Sequence, residues 1–134
     1  MSSFSTAMQD AILNHVYRNI ALASPATVYA ALFTTAPTDA GGGTEVTGDG
    51  YARQAMAFNA PIPDPSDTTR SLVANTAAIT FATTHDPNVN VVAMGIYTAA
   101  TGGTLIDWSP ITSAPLGTGA EIRIPAGGKT MALS

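Results

Sequence analysis

The chain of 134 residues contains no cysteine, so neither a disulfide framework nor a thiol nucleophile is available to it. Charge is scarce as well: Lys and Arg number 5, Asp and Glu 9, and the net charge is -4 at pH 7. The cations (Arg18, Arg53, Arg70, Arg123 and Lys129) are scattered. Non-specific nucleic-acid binding needs clustered cations to displace counterions, and that class is excluded. No apolar run approaches the about 18 to 20 residues of a membrane-spanning helix. The start, MSSFSTAMQD, has no basic region leading into an apolar stretch, so synthesis in the cytoplasm without a signal peptide is the expectation. Histidine is limited to His15 and His85.

What is plentiful is small and uncharged. Ala and Thr supply 24 and 19 residues, and the hydrophobic fraction is 46%. A disordered chain would carry more charge and less apolar surface. The length suits one domain with one core.

One helix is expected, over Thr6 to Ile20. Thr6 and Gln9 fit a capping box, and Asp10 would place negative charge in the first turn. Met8, Ile12, Val16 and Ile20, flanked by Leu13 and Tyr17, describe one apolar face. That face is a candidate contact, either with the rest of the chain or with a neighbouring copy. Ser24-Pro25 should end the helix, because a residue before proline is pushed out of the helical region.

From residue 26 onward the pattern is that of strands. Segments Thr27 to Thr35, Tyr51 to Phe58, Asn75 to Ala82 and Val89 to Thr98 read as strands. So do Thr104 to Ile111 (interrupted by Pro110), Ala120 to Ile124 and Thr130 to Leu133. Val89 to Thr98 is the most apolar and should be central. Thr38 to Gly50, with five glycines, reads as one long loop. Asn59 to Ser71, with three prolines, reads as an exposed connection. The fold class expected is all-β, an antiparallel sandwich or barrel-like domain with one N-terminal helix.

Motifs for chemistry are weak. Gly127-Gly128-Lys129-Thr130 ends like a phosphate-binding loop, but Arg123 stands where the first glycine is required and only four residues follow Thr130. No Gly-x-Ser-x-Gly or His-Glu-x-x-His pattern occurs. Asp39, Glu45 and Asp49 share the glycine-rich loop without the alternating spacing of a calcium loop, and turn formation explains them more simply. No cofactor, metal site or catalytic set is expected, and an enzyme is disfavoured. Tyr51 and Arg53, two apart on one strand face, suit an interface or internal packing equally.

The run VYAALFTTAPTDAGGGTEVTGDGYARQAMAF (Val28 to Phe58), with Tyr97 to Leu105 (YTAATGGTL), resembles a family of small tailed-phage virion proteins. These are variously labelled decoration (cement) or tail-fibre proteins. The resemblance spans most of the chain, the stretch NAPIPDPSDTTRSL being a departure. It implies a structural virion component rather than an enzyme. Capsid decoration is the leading expectation, with the major capsid protein and further copies of the chain, as a homotrimer, for partners. Neither nucleic acid nor membrane is an expected partner, and the capsid surface is the expected location. A tail or fibre-associated subunit and a host-surface binding module are the rivals. Asp39, Gly41, Gly42, Gly43, Glu45, Asp49, Tyr51 and Arg53 are the candidate shell or subunit contacts.

Overall fold

A computed structural model of the protein describes residues 3–48, 50–81, 89–116 and 121–133. His85 and Asp49, both considered above, lie outside the described residues.

After a short strand β1 (Ser3–Phe4), helix α1 runs over Thr6–Arg18. Its N-cap is Ser5 rather than Thr6, because the Ser5 hydroxyl accepts the Met8 amide at 3.2 Å. Ser5 is also anchored from outside the helix: its amide donates to the Ile106 carbonyl and its Oγ to the Leu105 carbonyl. Gln9 donates to the Phe4 carbonyl instead of closing a capping box, and Asp10 falls beyond the first turn. The helix stops well before Pro25. Asn19 adopts the left-handed conformation (φ 56°) that closes helix C-termini, and asparagine tolerates it better than most residues.

The strands that follow are β2 (Val28–Thr35), β3 (Thr44–Glu45), β4 (Gln54–Met56), β5 (Ile62–Asp64) and β6 (Asp67–Ala74). Then come β7 (Ile79–Phe81), β8 (Val89–Tyr97), β9 (Leu105–Leu116), β10 (Ile122–Ile124) and β11 (Thr130–Leu133). All pairings are antiparallel. The main sheet has the order β1-β9-β8-β2-β3, with β4 also on β2. Beside it lie a pair, β10-β7, and a three-stranded sheet, β11-β6-β5. The arrangement is sandwich-like, and among the described residues the strands form no closed barrel.

β8 is central, as its composition predicts, and both of its faces are covered. Met94, Ile96 and Val91 join Ala30, Leu32, Met56, Phe81, Leu116 and Ile122 in the larger core. Ala93 lies opposite, with Ala31 and Phe33. Strict alternation would place Val91 with Ala93; an irregularity in the β8–β9 register between them changes the facing. Gly95 has no room for a side chain, since a Cβ there would come within 2.9 Å of both Leu105 and Phe33. Among the described residues β1 pairs with β9 only at Asp107 and Trp108, so Pro110 and Pro115 fall where β9 has no second ladder to supply with an N–H.

Two expectations are corrected. Asn59 to Ser71 is not merely a connection. It holds β5 and most of β6, joined by a tight turn in which the Asp64 carboxylate accepts the Ser66 amide at 2.8 Å. Arg70 clamps the same carboxylate at 2.5 Å. The prolines misdirect because Pro63 sits on β5, an edge strand where a missing N–H need cost no ladder bond, while Pro61 and Pro65 lie just outside its two ends. Thr38 to Gly50 is likewise subdivided: Thr38 and Gly41 exchange backbone hydrogen bonds of 2.8 and 2.9 Å, and β3 follows.

Candidate functional site

Strand β4 begins only at Gln54, because Tyr51 and Arg53 leave the ladder to meet Glu45 on β3. The Arg53 guanidinium grips the carboxylate with two bonds, Nε to Oε2 at 2.9 Å and Nη2 to Oε1 at 2.7 Å. Its Nη1 donates to the carbonyls of Ala99 and Gly102 at 2.9 and 2.8 Å, in the turn between β8 and β9. The cation also lies 3.7 Å from the centre of the Tyr97 ring. Tyr51 donates to Glu45 Oε2 at 2.8 Å and accepts the Leu32 amide at 3.1 Å, while its ring stacks on Phe81. One arginine therefore joins the two sequence segments that carry the family resemblance.

Burial alone would raise the Glu45 carboxyl, yet the bonds from Arg53 and Tyr51 outweigh it and hold the group below the ordinary carboxylate range. Glu45 in turn holds the Arg53 guanidinium more firmly protonated. Burial raises the Tyr51 phenol, and the adjacent Glu45 carboxylate adds to the effect. The group is a locked ion pair rather than a poised acid and base.

The neighbouring loop is fixed from below. Asp39 accepts the Trp108 indole N–H at 3.0 Å, and its carbonyl accepts the Thr6 amide at 2.7 Å. Gly43 (φ 75°) passes so close to the chain that a Cβ would lie 2.7 Å from the Pro37 nitrogen and the Thr35 carbonyl oxygen. Gly41 and Gly42 face open space. Of the candidate contacts, Arg53 and Tyr51 thus face inward and Glu45 is half-buried. Asp39, Gly42 and Gly43 are exposed. An open depression of about 500 Å3 lies beside the ion pair, walled by Val46, Gly48, Ala52 and Thr101 as well as Tyr51 and Arg53. Among the described residues no group of three or more His, Asp or Glu is placed to hold a metal ion.

The proposed helix face separates in space. Met8 and Ile12 turn towards the body and are half-buried, whereas Val16 is 64% and Ile20 45% exposed. Residues four apart advance about 400° along a helix, so the row has drifted by roughly 80° between Met8 and Val16, and Ile20 lies beyond the helix end at Arg18. The outward apolar surface is made by Leu13, Val16, Tyr17 and Ile20.

Sequence reasoning missed a second polar cluster. Lys129, before β11, is 2% exposed and its Nζ lies 2.5 Å from Asp107 Oδ1 on β9. Asn75, equally buried, shapes the turn that delivers it, accepting the Lys129 amide and donating to the Pro125 carbonyl. The available signal was that Lys129 is the one lysine in the chain, following the two glycines of a tight turn.

Among the described residues no helix is long and apolar enough to cross a membrane. The family described as Podophage GP4 fiber I protein gp80 matches residues 3–132. No curated protein matches the chain.

Proposed function

The chain belongs to the podophage GP4 fiber I protein gp80 family and is a structural protein of a tailed phage; from that premise we propose that it is a fibre-associated subunit of the virion. The observation carrying the reading is the extent of the match, nearly end to end, to a family described as a fibre protein. The geometry agrees with a scaffolding role rather than catalysis. The polar groups of the most elaborate site are consumed in joining β3, the segment leading into β4 and the β8–β9 turn.

The subunit assembles with copies of itself, and α1 supplies part of the contact. Tyr17 is 80% and Leu13 55% exposed, beside Val16 and Ile20, and an apolar surface of this kind is what an assembly covers. Closed three-fold symmetry would satisfy every copy's interface, making a homotrimer the arrangement of choice. The glycine-rich loop, with Asp39, Gly41 and Gly42 at its tip, is the second contact element.

Capsid decoration is the other reading, with the major capsid protein as partner. It draws on the same sparse charge, which suits docking through backbone and loops. Labelling intact virions with a gold-tagged antibody to this chain separates the two. Label confined to the tail apparatus is the expected result. Label spread over the shell would overturn the fibre reading in favour of decoration.

A further inference from the structure

A lysine with almost no exposed surface needs an explanation, because lysines are almost never fully buried. Here the chain's one lysine is 2% exposed, against an aspartate that is 5% exposed. Lys129 lines a depression together with Met94, Ser109, Pro110, Ile111, Ile124 and Thr130, and Asp107 is flanked in the sheet by Ile96 on β8 and Phe4 on β1. Both backbones are held. Asp107 sits within the β1-β9-β8 ladders. Lys129 exchanges two bonds with Asn75, its amide donating to Oδ1 at 2.8 Å and its carbonyl accepting the Asn75 amide at 3.1 Å.

We propose that Lys129 and Asp107 condense into an intramolecular amide that ties the turn before β11 covalently to β9. The geometry is that of two reactants held together. A nitrogen 2.5 Å from a carboxyl oxygen lies on the order of 3 to 3.5 Å from the carboxyl carbon, the distance from which a freed amine can turn to attack it. Transfer of one proton within the pair converts ammonium and carboxylate into amine and carboxylic acid, which removes two buried charges at once. Burial pushes the Asp107 carboxyl above its ordinary range despite the nearby lysine, which favours the acid form that the reaction consumes.

The balance is simple. The Nζ lone pair attacks Cγ, the Nζ–Cγ bond forms and the bond from Cγ to the hydroxyl oxygen breaks. That hydroxyl leaves with one hydrogen from the amine, as water. No oxidant, metal or cofactor enters. The product keeps one N–H donor and one carbonyl acceptor in place of two ions, and an amide is far less costly to bury. It also closes a covalent loop between positions 107 and 129, so the three-stranded sheet that contains β11 is fastened to the main sheet.

The test is the intact mass of the purified full-length protein, denatured before measurement, beside K129R and D107A prepared identically. The wild-type chain is expected to fall short of its sequence mass by one water, and neither variant should. Trypsin cuts after Arg70 and Arg123, so digestion should yield the peptide 71–123 joined to a peptide carrying Lys129. A wild-type chain at its full sequence mass would overturn the proposal, whether or not the variants fold. So would a water loss that persists in K129R or maps to another pair of residues.

Discussion

Gly95 and Ile96 are neighbours on β8 and answer opposite demands. The glycine lies on the thin side of the sheet, where Phe33 and Leu105 leave no space for a Cβ. The isoleucine faces the larger core and is 2% exposed among Ala30, Leu32, Met94 and Phe81. Truncating Ile96 to alanine removes buried methyl groups from a site enclosed by two layers, and the cost should be about 2 to 5 kcal/mol. Urea denaturation measures it; a loss below about 0.5 kcal/mol would place the side chain outside a packed core. Met94 and Ile96 were legible on this face from their alternation with Gly95, whereas Val91 was not, because a register irregularity separates it from Ala93. The Arg53 arrangement was legible only in part. Two residues two apart on a strand share a face, which is why Tyr51 and Arg53 could be paired from sequence. Their partners could not be: Glu45 is near in sequence, but the carbonyls of Ala99 and Gly102 come from a turn more than forty residues away.

At the scale of elements, α1 is attached at one end and bare along one side. Its N-terminus is secured through Ser5 and Thr6, while Leu13, Val16, Tyr17 and Ile20 remain in solvent. Replacing Val16 and Tyr17 together by serine should weaken self-association in sedimentation velocity and leave the unfolding free energy of the separated chain within about 0.5 kcal/mol for each site. Unchanged association would remove α1 from the interface. A pronounced loss of monomer stability would instead show the face packed on its own chain. Helix existence was readable from the spacing of its apolar residues, but its stop was not. Asn19 ends it through a backbone conformation that composition does not announce, whereas Pro25 announces an ending that comes too late. β5 and β6 were obscured for the converse reason. Proline argues against a strand only where its N–H would be used, and an edge position cannot be recognised before the sheet order is known.

For the whole molecule, a small number of ionisable groups means that each paired one weighs on the response to acid. Glu45 is held below the ordinary carboxylate range by Arg53 and Tyr51, and the Ser66 amide and Arg70 hold Asp64 there as well. In the unfolded chain these carboxyls have ordinary values, near about 4. As pH falls, the unfolded state therefore takes up protons first, and the equilibrium shifts towards it. The stabilisation from Glu45 is complete above the unfolded value and disappears as pH drops through the lower folded one. Asp107 has the opposite sign while it remains a free carboxyl, because burial raises it and folding then favours its protonated form. Comparing E45Q with the parent chain cancels that contribution, since both share Asp107. The variant should be less stable at pH 7, where the ion pair is lost, and the gap should narrow as pH falls below about 4. Thermal or urea unfolding between pH 7 and pH 2.5 measures the difference. A gap that stays constant with pH would mean that Glu45 contributes only as a hydrogen-bond acceptor that glutamine replaces imperfectly, and that its charge does not fasten the β8–β9 turn to β3.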